Sequence, residues 1–532
     1  MKVDKLHIRT RFKNLEDVQV DFDEEHLMTV VVGRNGSGKS NVLEALVSIF
    51  RNIDLGEPPL FSYELVYRLG QPHKSDQPSD RWLEVTIDAD PTRGALSKQY
   101  EVSIRNLLSD QLTDLFDENS KKQPIPFSKL KRDKNGNAPY LPKYVFAYYS
   151  GPSDRLENYF KKHRTDFYRR LLQDKLDLKG DIRPLFYAKP FHSQFVLLAF
   201  FLNENDSIEK DFLREHLGIE ELDSIHFVMR QPGWAKEKGE LFWGSYGVVR
   251  RFLDELIKHS LSPVKVTRLE DTSLTGKNIR NEFFHLFLPD VNALRKFAKD
   301  LSADELFKML ESTLLSEIIS EVSIRVKISS SEEPLTFREL SEGEQQLLTV
   351  LGLLKFTGGK DSLFLLDEPD THLNPSWAVK YLKFLHDFVP NHETSHLLMV
   401  THHPLAIAEL QKGQIQVMKK DSKYQIHAIE PEESPRGMGI NLILRSDMFG
   451  LLTTLDDDTN QKLIARNYLA AKDNLSKVQL VREMGKQPED EEEYLTRLNT
   501  ELGKLGFNLA TDDPDYHEFL RKKYHPTSEE GA

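Results

Sequence analysis

Residues 27–40 read LMTVVVGRNGSGKS. Leu27 to Val32 form an unbroken apolar run, the pattern of a strand buried on both faces, and residues 41–50 continue with helical apolar spacing. Between them stands Gly33-Arg34-Asn35-Gly36-Ser37-Gly38-Lys39-Ser40, which is G-x-x-x-x-G-K-S in the strand–loop–helix setting that gives the motif its meaning. The residue types follow from the chemistry of a triphosphate. Gly33, Gly36 and Gly38 let backbone N–H groups close around phosphate oxygens, with Arg34, Asn35 and Ser37 filling the rest of the loop. Lys39 reaches the β/γ-phosphates, and Ser40 offers its hydroxyl to Mg2+ at a helix N-terminus. The expectation is an α/β fold that takes ATP and Mg2+.

Far downstream, SLFLLDEP at residues 362–369 is a second buried strand, ending in two carboxylates. Asp367 is placed to hold Mg2+ through water, and Glu368 to polarise the attacking water. LSEGEQQ begins at Leu340, with a helical apolar run behind it, and residues 397–400 form another apolar strand that delivers Thr401-His402-His403-Pro404. This order of motifs resembles the ABC-type ATPase superfamily. The resemblance implies that Ser341 and Gly343, at a helix N-terminus, grip the γ-phosphate bound to Lys39 of a second subunit. One copy of each motif then implies a homodimer with two ATP molecules at its interface. It puts DTHLNP, residues 370–375, at the D-loop position and His402 at the switch-histidine position, with His403 as its rival. There are departures. Glu342 replaces the second glycine of transporter-type signatures, Asn374 stands where many members carry aspartate, and no Q-loop glutamine is evident. The best stand-in is YVFAYYSG, residues 144–151, whose polar end is Ser150.

Lys39 and Ser341 are 302 positions apart, far more than in transporter ATPases, and no sustained heptad repeat fills the gap as it would in a long-armed SMC protein. The spacing divides the chain into an N-terminal part of an ATPase head (residues 1–150), a compact, mainly helical insertion lobe (151–330), the C-terminal part of the head (331–430) and a helical, partner-binding extension (431–532). The insertion mixes amphipathic helices at 248–259 and 303–319 with strand-like pieces at 283–288 and 322–328. Alternating stretches at 5–9, 18–23, 82–88 and 100–105 predict an antiparallel β-layer, residues 415–419 and 424–429 a hairpin, and residues 460–482 and 489–505 two late helices. The opening LHI and FKNL segments resemble the start of RecF-like and SMC-like heads, so the fold class expected is α/β, an ABC-type head of that kind.

More specific stretches are YYSGPSDRLENYF at 148–160, LSEGEQQLLTVLGLL at 340–354, LDEPDTHLNPSW at 366–377, SPRGMG at 434–439 and DDPDYHEFL at 512–520. With the length, they resemble the PtuA family, the ATPase subunits of Septu-type prokaryotic antiviral systems, and within it the retron-associated branch. The resemblance implies an HNH endonuclease partner (PtuB) and, in retrons, a reverse transcriptase with its DNA–RNA product. The competing expectation is a RecF-like repair or chromosome-maintenance ATPase that clamps DNA.

Composition bounds these readings. The chain has no cysteine, which excludes a disulfide framework, a thiolate zinc site and a cysteine nucleophile, and fits a reducing cytoplasmic setting. No apolar run approaches the roughly 20 residues of a membrane span. A nuclease in this chain would need more than Asp456-Asp457-Asp458: no glutamate strand precedes that triplet, and an acidic helix start explains it. The net charge of −13 is unevenly distributed. Residues 121–134 carry six basic side chains and one acidic, and 155–170 interleave Lys161, Lys162, Arg164, Arg169 and Arg170 with Tyr159, Phe160, Phe167 and Tyr168. These are candidate nucleic-acid contacts, although Phe160 and Phe167 at helical spacing also fit a core. Residues 484–532 hold 12 acidic and 6 basic groups around a Leu495, Leu498, Leu502, Leu505 stripe that could dock a partner or pack on its own chain.

Overall fold

The computed structural model describes residues 1–73, 79, 81–108, 122–132, 138–171, 183–202, 207–235, 241–271, 278–357, 361–470 and 491–507. At its centre is a seven-stranded sheet in the order Ile426–Ile429, Ile415–Lys420, Met28–Gly33, Ser395–Val400, Ser362–Asp367, Tyr144–Tyr149, Leu185–Tyr187. All pairings are parallel except that of the edge strand Ile426–Ile429. Met28–Gly33, Ser362–Asp367 and Ser395–Val400 are buried at every position, which is why they read as unbroken apolar runs.

Successive side chains on these strands feed two cores. Val31, Leu363, Leu365, Leu398 and Val400 point to one side, where they pack with the helix Lys39–Leu55 and a six-stranded antiparallel sheet. That sheet runs Val18–Asp21, Lys2–Ile8, Tyr63–Gly70, Trp82–Ala89, Tyr100–Asn106, Gln123–Ile125. Val30, Val32, Phe364, Leu366, Leu397 and Met399 point to the other side, into a core shared with the inserted residues and the helix Glu342–Thr357. The parallel sheet, the phosphate-loop helix and the antiparallel layer make this an α/β fold.

The insertion holds a sheet beside the helices expected. Its helices, among them Gly247–His259 and Ala303–Leu315, accompany a five-stranded antiparallel sheet ordered Leu261–Asp271, Asn278–Leu288, Ile219–Arg230, Ile319–Ile328, Leu335–Thr336. The helix predicted over 303–319 stops at Leu315 because Glu317 takes a left-handed conformation (φ 65°) and turns the chain into the strand Ile319–Ile328.

Two compact units divide the chain, Met1–Ile443 with Asp447–Phe449, and Leu444–Ser446 with Gly450–Ala532. Residues 431–443 therefore stay with the head, where the sequence boundary had put them in the extension. In the smaller unit, the helix Glu491–Lys504 buries Leu498 and Leu502 in a cluster with Ala465 of the helix Asp457–Ala470. The stripe that could have docked a partner is covered at these two positions by its own chain, while Leu505 is exposed. Residues 471–490, which include part of the helix expected over 460–482, and the 512–520 segment lie outside the described residues. Among the described residues no helix is long and apolar enough to cross a membrane.

Candidate nucleotide site

In a parallel sheet the carboxyl ends of the strands share one edge, and loops from different strands meet there. Here that edge gathers Gly33, Tyr149, Asp367 and Val400, in register: Asp367 lies beside both Tyr149 and Val400, and Val400 beside Val31. The phosphate loop, the carboxylate pair and the histidine segment thus converge from positions far apart in sequence.

The loop is shaped as a cradle. A Cβ on Gly33 (φ 141°) would stand 2.4 Å from the Met418 carbonyl oxygen, so a side chain has no room there. Lys39 is almost fully buried, and its ammonium donates to the carbonyls of Gly33 (2.9 Å) and Arg34 (3.3 Å). Burial lowers the Lys39 pKa, while Glu368 and Asp367 act to raise it. Ser37 Oγ is buried without a hydrogen-bond partner. A buried hydroxyl unsatisfied among the described residues and a buried ammonium held by carbonyls fit a polyanion in this loop. Asn14 and Asn41 flank it: Asn14 donates to the Gly36 carbonyl (3.2 Å), and Asn41 to Asn14 (2.5 Å).

Ser40 Oγ donates to Asp367 Oδ1 at 2.9 Å, joining the start of the phosphate-loop helix to the end of the strand Ser362–Asp367. Asp367 is 1% exposed, and burial pushes its carboxyl up to about 6 against the opposing hydrogen bonds from Ser40 and Arg155. A hydroxyl and a carboxylate in contact form an oxygen donor set that suits Mg2+. Glu368, the next residue, has φ 52°, a left-handed conformation rare outside glycine and characteristic of functional turns. Its N–H donates to the Val400 carbonyl (2.8 Å), which fixes the turn, and its Oε1 lies 3.3 Å from His402 Nδ1. His403 turns elsewhere: its N–H donates to Thr401 Oγ1 (2.9 Å), and its Nδ1 is buried without a partner. Of the two histidines, His402 is the one beside Glu368.

The signature segment is tied to the carboxylate turn within the same chain. Gln346 Nε2 donates to the Glu368 carbonyl (3.4 Å), and Gln346 Oε1 accepts from the His372 N–H (3.2 Å). Gly343 is packed so closely that a Cβ would lie 2.5 Å from the His372 carbonyl oxygen. Ser341 caps the helix Glu342–Thr357 with Glu344, whose carboxylate accepts from the Ser341 N–H (2.6 Å) and hydroxyl (2.7 Å). Ser341 itself is exposed, so this helix start faces solvent rather than the phosphate loop of its own chain.

Residues 1–182 match the family described as AAA ATPase domain, and residues 272–408 match AAA domain, putative AbiEii toxin, Type IV TA system. The two matched stretches leave residues 183–271 between them. Over 257 residues, 46% of this chain, it is 24% identical to the Septu protein PtuA of Bacillus mycoides (strain KBAB4), and the match spans only 35% of that relative. Among solved structures, the SMC head domain from Thermotoga maritima covers 81% of the chain at 13% identity, with all of its own length matched and a TM-score of 0.31. Stu0660 of Streptococcus thermophilus covers 98% at 11% identity, with 99% of its own length matched and a TM-score of 0.26.

Two residues that sequence reading left out of the site belong to it. Arg155, counted with the basic segment, donates through Nη2 to Asp367 Oδ2 (3.0 Å) and lies over the Tyr149 ring, 5.0 Å from its centroid. Gln346 was read only as part of a helix. The pattern LSEGEQQ carried its one available signal, a polar residue at a position whose helical neighbours Leu347 and Val350 are core. No glutamine comes from the strand Tyr144–Tyr149, but Ser150 at its end gives its N–H to the Asp367 carbonyl (3.3 Å), and its hydroxyl meets Thr371 Oγ1 (3.1 Å).

The candidate nucleic-acid segments look different in three dimensions. Phe160 and Phe167 on the helix Glu157–Leu171 are buried, so they are core and not stacking platforms. Lys162 pairs with Glu57, Arg164 with Glu157 and Arg169 with Asp166. In the other segment, Lys121, Asp133 and Lys134 lie outside the described residues, Lys122 pairs with Glu84 and Arg132 with Asp54. Asp456 caps its helix by accepting from the Thr459 N–H (3.0 Å). Among the described residues no group of three or more histidines and carboxylates is arranged to hold a metal ion.

Proposed function

We propose that this chain is the ATP-binding and hydrolysing subunit of a prokaryotic antiviral system of the Septu type, and that it controls an associated HNH endonuclease through ATP-dependent pairing of two heads. The observation that carries the ATPase reading is the junction of Ser40 with Asp367, with Glu368 and His402 beside it. In that reading Gly33, Arg34, Asn35, Gly36, Ser37, Gly38 and Lys39 hold the phosphates, and Ser40 and Asp367 hold Mg2+. Glu368 takes a proton from water, with His402 orienting its carboxylate. Bound Mg2+ supplies charge stabilisation to the phosphoryl group.

Ser341 and Gly343 act across the dimer. Support for this is the exposed, capped helix start, held to the carboxylate turn through Gln346, so that a phosphate held in the loop of one head would be felt at the hydrolytic residues of the head whose Ser341 meets it. The antiviral setting is supported by the stretch similar to PtuA. A reverse transcriptase with its DNA–RNA product belongs to this reading only in the retron-associated form.

Purification of the chain with its genomic neighbours, followed by mass spectrometry and size analysis with ATP, tests the whole. Glu368→Gln is expected to accumulate an ATP-dependent dimer and to bring an HNH protein with it. Wild-type turnover in that variant would remove the role given to Glu368, and a purified assembly without a nuclease would remove the antiviral assignment.

A further inference from the structure

Arg155 is placed between two buried carboxylates. On one side its Nη2 donates to Asp367 Oδ2 at 3.0 Å. On the other its Nε lies 3.4 Å from Glu44 Oε1, on the second turn of the phosphate-loop helix, and neither of these two atoms has a hydrogen bond among the described residues. Glu44 is 1% exposed, and its second oxygen pairs with Lys13. A buried carboxylate oxygen and a buried guanidinium N–H that face each other without bonding are an unfinished contact, and closing it satisfies both. The Tyr149 ring lies against the guanidinium, its centroid 5.0 Å from the Arg155 Cζ.

We propose that Arg155 is a two-seat positioning residue: it neutralises Asp367 when no divalent cation is there, and withdraws onto Glu44 when Mg2+ arrives with nucleotide. The inference rests on the ATPase reading above. Asp367 Oδ1 takes the Ser40 hydroxyl and Oδ2 takes Arg155, so both carboxylate oxygens are engaged within the chain. A dication bound by Ser40 and Asp367 repels a guanidinium held against the same carboxylate, and in a buried site that repulsion is poorly screened. The cation and Arg155 therefore compete for Asp367, and Glu44 is the seat that makes withdrawal cheap. Such competition keeps two buried acids charge-balanced in the resting chain and sets a threshold of metal for tight nucleotide binding.

The test is the half-saturating Mg2+ concentration for binding of a fluorescent ADP derivative to chelator-treated full-length protein, which needs no turnover. Arg155→Gln removes the competitor, and half-saturation is expected to fall by about tenfold if the guanidinium holds Asp367 about nine-tenths of the time. Glu44→Gln weakens the second seat, and half-saturation is expected to rise. The double variant is expected to follow Arg155→Gln, because the second seat matters only while the arginine exists. A merely structural disturbance moves both single variants towards weaker metal binding, so the opposed signs are the signature. An unmoved or raised value in Arg155→Gln, or a fall in Glu44→Gln, overturns the proposal. If wild type fails to bind the nucleotide with or without Mg2+, the ATPase reading falls and this inference with it. Intact nucleotide binding with unopposed shifts removes the arginine device alone.

Discussion

Lys39 and His192 show how burial gives single side chains opposite uses. Lys39 is a buried cation whose ammonium donates to two loop carbonyls. Lys39→Ala is expected to weaken ATP binding by about a hundredfold, the scale of one lost charge-assisted contact, measured by equilibrium titration. His192 is buried among Phe186, Phe195 and Phe307 and accepts the Lys189 N–H at Nδ1 (2.8 Å). Burial, with Arg183 and Lys189 nearby, drives its pKa down to about 3. The folded chain therefore refuses a proton that the unfolded chain accepts below about pH 6.5. The stability involved is fully present above that pH and is lost as pH falls towards 3, about 2 kcal/mol of it by pH 5. His192→Asn keeps an acceptor but removes the titration, so its denaturation midpoint is expected to change less between pH 7 and pH 5 than that of wild type. An equally steep fall would show that other groups govern acid lability. None of this was visible in sequence, where His192 is one of 18 histidines with no motif around it.

At the scale of elements, the phosphate-loop strand and the two strands ending at Asp367 and Val400 were legible because a parallel strand covered on both faces must be apolar throughout. The inserted sheet was only partly legible. The stretch 322–328 alternates and 283–288 is a short, almost continuous apolar run, so both read as strands, but Leu261–Asp271 carries exposed Leu261, Val264 and Leu269 beside charged residues and has no clean period. Its place at the sheet edge explains the pattern, since an edge strand with little covering it is under weak selection for alternation. The signature helix shows what packing adds to a motif. Gly343 fits a phosphate-facing helix start in the sequence, and in the fold it also allows the helix to approach the His372 carbonyl. Gly343→Ala is expected to force these backbones apart, lowering stability by about 1–3 kcal/mol and weakening ATP-dependent pairing of heads. Calorimetry and sedimentation check the two effects separately, and an unchanged unfolding transition would mean the contact relaxes freely.

For the whole molecule, the division into two compact units makes a direct prediction. The smaller unit has its own apolar cluster of Ala465, Leu498 and Leu502. Truncation after Phe449 is expected to leave the unfolding transition and the nucleotide affinity of the larger unit within about 0.5 kcal/mol of the full chain, as for an independent change. Loss of nucleotide binding on truncation would show that the two units fold as one. The charge map changes with the fold as well: Lys122, Lys162, Arg164 and Arg169, which looked like a nucleic-acid face, pair with carboxylates of the same chain. The sequence by itself determined the α/β class, the phosphate loop with its strand and helix, the carboxylate strand and the histidine strand, because each is a local pattern in which residue type and spacing follow from backbone geometry. Only the tertiary structure decided that His402 and not His403 meets Glu368, that Gln346 bridges two segments, and that Arg155 lies between Asp367 and Glu44. Those are contacts between segments as many as 212 residues apart, and side-chain direction at such distances is set by the register of the sheet and not by any neighbouring residue.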